Sequence, residues 1–146
     1  MSKERQVSVS RLIDASPEAI FDVLADPARH AEIDGSGTVR AARTPAQRLA
    51  LGTKFGMKMK LGVPYNMSST VVEFEENQLI AWAHFGKHRW RYELEPTDGV
   101  TMVTETFDWS TSIMPLFIEL AGYPKSHPKN MRKTLERLEA VVTAAS

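Results

Sequence analysis

The sequence predicts an α+β protein: a curved antiparallel sheet of about seven strands wrapped around a long C-terminal helix, with two short helices after the first strand. Two observations lead there. Between Gly52 and Ser110, apolar and polar residues alternate in runs broken by turn residues. Near the C-terminus Met131, Leu135, Leu138, Val142 and Ala145 step by four and three, drawing one apolar stripe on an otherwise charged helix that must be buried against something. The inner face of the sheet is the large apolar surface available to it.

The elements follow in order. Arg5 to Asp14 is β-branched and roughly alternating, a strand. Ser16 is placed to cap a helix with its hydroxyl, Pro17 suits the first helical position, and Ile20, Phe21 and Leu24 give an apolar face that Asp26-Pro27 terminates. A further short helix is expected over Ala28 to Asp34, closed by Gly35-Ser36-Gly37, and a strand over Thr38 to Ala42. In Lys54 to Leu61 the alternation is complete: Phe55, Met57 and Met59 share one face, Lys54, Lys58 and Lys60 the other. From Thr111 to Tyr123, Ile113, Leu116, Phe117 and Leu120 have helical spacing, a short apolar helix ended by Gly122 that acts either as core or as a lid.

Two-residue turns at Gly62-Val63, Glu76-Asn77, Gly86-Lys87 and Asp98-Gly99 fix the register of the meander. Across Asp98-Gly99, Leu94 then faces Val103, Tyr92 faces Glu105, Trp90 faces Phe107 and His88 faces Trp109. Arg89 faces Asp108 on the other side as a cross-strand charge pair. Across Gly86-Lys87, Ala83 faces Trp90 and Ala81 faces Tyr92. The remaining turns carry the inner face through Phe74, Val72, Thr70 and Ser68 to Met57 and Phe55. Val71, Trp82 and Arg91 are expected on the outer face, with Arg91 over the Trp82 ring.

Composition bounds the function. A chain of 146 residues suits one domain, 1–146, and supports a core without staples. The absence of Cys excludes thiolate catalysis and thiolate-bound zinc. Lys and Arg balance Asp and Glu at 18 each, which gives no field for gathering phosphates and argues against nucleic acid. Lacking a signal-peptide pattern and an apolar run long enough to span a bilayer, the protein is expected to be cytoplasmic, a monomer or homodimer. The four histidines show no metal-ligand spacing, so neither metal nor cofactor is expected. P-loop, nucleophile-elbow and dinucleotide glycine motifs are missing.

Ser10 to Asp26, Arg89 to Pro96, Val103 to Trp109 and Met131 to Glu139, in this order of elements, resemble the START-like helix-grip superfamily (SRPBCC) in its polyketide cyclase/dehydrase and lipid-transport branch, over essentially the whole chain. The resemblance implies a deep cavity between sheet and long helix that holds a hydrophobic small molecule. Related domains carry lipids and hormones, cyclise polyketides or activate a chaperone ATPase, so fold alone does not choose among these activities.

The expected ligand-binding residues are Phe55, Met57, Met59, Ser68, Thr70, Ala83, His88, Trp90, Tyr92, Glu105, Phe107, Trp109 and Phe117. Apolar walls with a few polar groups suit a pocket; a solid core in which Met fills gaps is the plainer reading. Glu105 stands out, because a carboxylate on the inner face cannot remain ionised and unpaired, and Tyr92 opposite it supplies a hydroxyl. That pair anchors a ligand or, in an aromatase/cyclase or dehydratase, serves as acid and base. His88 is four residues along from the pair, on the order of 13 Å, too far for direct proton exchange with Glu105. The lead reading is a binder of a lipid, polyketide or isoprenoid-like molecule. The alternatives are the enzyme and a chaperone-associated module that presents the outer Trp82 face.

Overall fold

The computed structural model describes residues 5–34, 39–42, 48–61, 63–84, 87–114, 116, 119 and 123–144, with backbone alone at 31, 39–42, 58–61, 64–67, 123–126 and 144. The elements run β1 (Gln6–Ile13), α1 (Pro17–Leu24), a 3-10 turn at Pro27–Arg29, α2 (His30–Ile33), β2 (Val39–Ala42), β3 (Lys54–Leu61), β4 (Val63–Glu75), β5 (Leu79–Ala83), β6 (Arg89–Thr97), β7 (Val100–Asp108) and α3 (Tyr123–Ala144). Among the described residues the strands form one seven-stranded sheet in the order β1-β7-β6-β5-β4-β3-β2, every neighbour antiparallel. A six-strand meander is thus extended by the first strand, which pairs with the last.

Local chemistry explains the helix starts. The Ala19 N–H donates to Ser16 Oγ at 3.1 Å and Pro17 opens α1; the Ala28 N–H donates to Asp26 Oδ1 at 3.0 Å at the next turn. Helix α3 lies on β1 and β7 and touches α1 and α2. Its buried stripe is Met131, Leu135 and Leu138, with Thr134 beside them; Ala145 falls outside the described residues. Arg11 of β1 donates to Glu139 Oε1 of α3 at 2.8 and 3.0 Å, and Arg137 donates to the Asp34 carbonyl at 2.6 Å. Of the expected 113–123 helix, Leu116 and Glu119 are helical, Ile113 and Met114 are not, Tyr123 opens α3, and 115, 117, 118 and 120–122 lie outside the described residues.

Asp98-Gly99 makes the two-residue turn its sequence calls for, with φ of 47° and 86°, so β6 and β7 pair as expected: Leu94 with Val103, Tyr92 with Glu105, Trp90 with Phe107. The other three turns shift the register by one. Leu61 pairs with Val63 and Met57 with Met67. Glu75 pairs with Leu79 across three turn residues, Asn77 at φ 63° among them. Ala83 pairs with Arg89 and Trp82 with Trp90. A one-residue shift moves a strand's side chains to the opposite face. Val71, Ile80 and Trp82 are therefore buried inside with Phe55 and Met57, while Ser68, Thr70, Ala81 and Ala83 belong to the outer face, contrary to expectation. A bulge at Val72 lets Val71 and Phe74 both join the core.

The alanines on β5 have a reason on the outer face. Glu73 accepts from Arg89 at 2.7 Å and from Arg91 at 2.8 and 2.9 Å, Arg91 reaches Asp108 at 3.1 Å, and Gln6 donates to Asp108 at 2.9 Å. Arg91 and Arg89 are the β6 partners of Ala81 and Ala83, so small residues leave room for guanidinium groups to cross β5 toward Glu73. Arg89 stands opposite Asp108 in the ladder as expected, but the ion pair to that carboxylate is made by Arg91. The Arg91 bond, assisted by Arg89, holds the Glu73 carboxyl below its ordinary range against the effect of burial. Glu73→Ala would leave two guanidinium groups without their shared acceptor, and urea denaturation is expected to show a loss of about 2–3 kcal/mol. An unchanged midpoint would mean that the network contributes nothing net.

Candidate binding site

Glu105 of β7 and Tyr92 of β6 are opposite residues on the inner face. Tyr92 donates its phenolic O–H to Glu105 Oε2 at 3.0 Å. Glu105 is 3% exposed, and its Oε1 has no hydrogen-bond partner. Burial pushes the Glu105 carboxyl up to about 8; the Tyr92 bond pulls it partly back, and Asp34 adds to the rise. Burial and the neighbouring carboxyl likewise push the Tyr92 phenol upward. Both groups are thus neutral at pH 7. With Oε2 accepting from the phenol, Oε1 is the oxygen left to carry the hydrogen of a neutral carboxyl, and it has no hydrogen-bond partner.

An aromatic wall extends from this pair in two directions. Toward β3, Tyr92 lies 5.5 Å from Trp82, Trp82 stacks on His30 at 4.8 Å, and Phe55 stands edge-on to both at 5.7 Å. His30 arrives from α2 and is fixed by a 2.8 Å bond between Nε2 and the Leu24 carbonyl. A carbonyl only accepts, so Nε2 carries the hydrogen, and burial lowers the pKa of the ring to keep it neutral.

Toward the other end of β6 and β7 the wall becomes a histidine row. Ser69 Oγ lies 2.7 Å from His84 Nδ1, His84 is 5.4 Å from His88, and His88 is 5.6 Å from Phe107. Phe107 is also 4.7 Å from Trp90, 5.6 Å from Trp109 and 4.6 Å from His127 of α3. Burial, with the charge of His88 adding to it, pushes His84 and His127 down to about 4, and burial lowers His88 too. The buried Nδ1 of His88 has no hydrogen-bond partner. Among the described residues no group of three or more His, Asp or Glu is arranged to hold a metal ion.

Of the expected site residues, Phe55, Met57, Trp90, Tyr92, Glu105, Phe107 and Trp109 are buried or partly buried in the two clusters of this face, and His88 borders them. Ser68, Thr70 and Ala83 do not join them; the side chain of Met59 and all of Phe117 lie outside the described residues. Trp82, His30, Ser69, His84 and His127 were missed. His84 was expected to point outward, and His127 to sit in a loop or at a helix end; the first is turned inward by the register shift, the second by helical phase. Trp82 is 9% exposed and meets Tyr92, His30 and Phe55 rather than Arg91, so the outer Trp82 surface required for the chaperone-module reading does not exist. Hydrophobic content was a usable signal, since a face carrying Val71, Ile80 and Trp82 is more apolar than one carrying Thr70, Ala81 and Ala83.

A curved antiparallel sheet gripping a C-terminal helix, with a largely aromatic inner wall, defines the helix-grip class of the START-like superfamily. Within it the chain belongs to the family described as polyketide cyclase / dehydrase and lipid transport, matched over residues 4–143. It is similar to the uncharacterized protein Rv0088 of Mycobacterium tuberculosis, 43% identical over 138 residues, covering 89% of this chain and 62% of that protein. The uncharacterized protein MT0096 from another strain is 42% identical over the same share. The chain thus spans less than two thirds of the length of these relatives. Among solved structures, protein NE0264 from Nitrosomonas europaea superposes with a TM-score of 0.74 at 15% identity, over 99% of this chain and 98% of that one. The AHSA1-like protein from Aeromonas hydrophila gives 0.66 at 21%, over 96% and 93%. At such identities the likeness is one of fold. No helix among the described residues is long and apolar enough to cross a membrane.

Proposed function

We propose that this chain binds an uncharged hydrophobic small molecule, of lipid, polyketide or isoprenoid character, against the inner face of the sheet beneath α3, with Glu105 as its polar anchor. One observation supports the reading most: a carboxyl 3% exposed, bonded through one oxygen to Tyr92, whose other oxygen has no partner. Leaving a buried polar atom unsatisfied costs about 1–3 kcal/mol, and a ligand carbonyl or hydroxyl oxygen accepting from Oε1 removes that cost. Neutrality suits the ligand class. The guanidinium that β1 brings to this side, Arg11, is already bonded to Glu139 and so is not free to pair with an anionic headgroup.

The test is titration with an uncharged fluorescent apolar probe such as Nile red. Glu105→Ala is expected to weaken probe affinity about tenfold while shifting the melting temperature by only a few degrees. Unchanged affinity with a lowered melting temperature would make Glu105 a structural residue. A second reading, acid–base catalysis in a cyclase or dehydratase, is favoured by the same carboxyl, which at about 8 is protonated at neutral pH and placed beside a phenol. In that reading Glu105 donates a proton to a substrate oxygen and Tyr92 holds the carboxyl in position. Tyr92→Phe would then abolish turnover but reduce probe binding only slightly.

A further inference from the structure

Among the described residues two buried side-chain polar atoms lack a hydrogen-bond partner, Glu105 Oε1 and His88 Nδ1. They belong to the same wall. Glu105 faces Tyr92, and His88 precedes the first residue of β6, four residues from Tyr92. At roughly 3.3 Å per residue the two positions are about 13 Å apart along the strands. Between them lie Trp90 and Phe107, 4.7 Å from each other, and the His88 ring touches Phe107 at 5.6 Å. Behind His88 the polar chain continues through His84 to Ser69 Oγ. This stretch of the wall, along β6 and β7, therefore has a polar group at each end and an aromatic middle.

Building on the binding role of this face, we infer that the ligand is two-ended: an elongated, uncharged, largely apolar molecule about as long as the span from Glu105 to His88, with an oxygen accepting from Glu105 at one end and a second polar group bonded to His88 Nδ1 at the other. A single-headed fatty chain leaves one of the two atoms unsatisfied. A molecule with polar groups at both ends satisfies both, and its flat middle lies along the partly buried ring of Trp90, beside Phe107. The lowered pKa of His88 is consistent with a neutral imidazole that bonds a hydroxyl or carbonyl.

Calorimetric titration with three rigid rods built on one scaffold, trans-stilbene, 4-hydroxystilbene and 4,4′-dihydroxystilbene, separates the possibilities. The wild-type chain is expected to bind them in rising order, each hydroxyl adding about tenfold. His88→Phe keeps an aromatic ring against Phe107 but removes Nδ1; it should erase the advantage of the second hydroxyl and leave 4-hydroxystilbene unaffected. Glu105→Met should remove the advantage of the first, and Glu105→Gln, which retains a donor, should restore part of it. Equal affinity of the mono- and dihydroxy rods for wild type overturns the two-ended ligand while leaving the Glu105 anchor standing. Failure of all three rods to bind overturns both the two-ended ligand and the binding role itself.

Discussion

Glu105→Gln is expected to abolish a loss of stability that the wild-type chain shows as pH rises from about 6.5 to about 8. In the folded chain the Glu105 carboxyl titrates at about 8, against an ordinary value of 4.5. Its folded pKa is raised, so its contribution is fully present below 4.5 and is lost as pH rises through 8, the unfolded chain giving up its proton first. His84 and His127 have the opposite sign. Each titrates at about 4 when folded against 6.5 ordinarily, so their contribution is present above 6.5 and lost as pH falls toward 4. His30, His88 and Glu73, all lowered, add to that acid-side loss. Between 4.5 and 6.5 several groups oppose one, and the acid-side loss prevails; above 6.5 Glu105 acts alone. The unfolding free energy, and with it the melting temperature, should therefore peak near pH 6.5, the free energy declining on the alkaline side by at most ~1.4 kcal/mol per pH unit. In Glu105→Gln the alkaline side should be flat. The same decline in both proteins would show that Glu105 is not the carboxyl held neutral.

Phe107→Ala should cause the largest loss of stability of any single truncation considered, about 3–5 kcal/mol in chemical denaturation. Phe107 is 1% exposed and its ring meets His88, Trp90, Trp109 and His127. It therefore joins β6, β7 and α3 at one point. Truncation removes the transfer free energy of the ring and leaves a space that four other rings, fixed on different elements, cannot fill by a small shift. A loss below about 1 kcal/mol would mean that these rings do collapse inward and that the wall is more plastic than the contacts imply.

The difference between what the residues revealed and what they concealed lies in the turns. Asp98-Gly99 prescribes its own geometry, so the pairing of β6 with β7, and with it the meeting of Tyr92 and Glu105, could be read from the sequence. Ser16-Pro17 and the Met131, Leu135, Leu138 stripe were equally explicit, because caps and helical periodicity are local. Glu76-Asn77 and Gly86-Lys87 do not define a loop length. One residue of error at Gly86-Lys87 sent Trp82 and His84 to the wrong face, and the bulge at Val72, which no local residue announces, hid the inward placement of Val71, while Phe74 lies inward as expected. The histidine row arises from contacts between residues far apart in sequence: Ser69 meets His84, and His127 of α3 lies over Phe107. Neither the spacing of the histidines nor their flanking residues contains that information.

Native mass spectrometry of the chain purified from its own host tests the central claim most directly. The spectrum should show a folded species that carries an uncharged organic adduct, stripped by solvent extraction and present at much lower occupancy in Glu105→Ala. A bare chain in the native spectrum that also fails to bind Nile red in solution would contradict it.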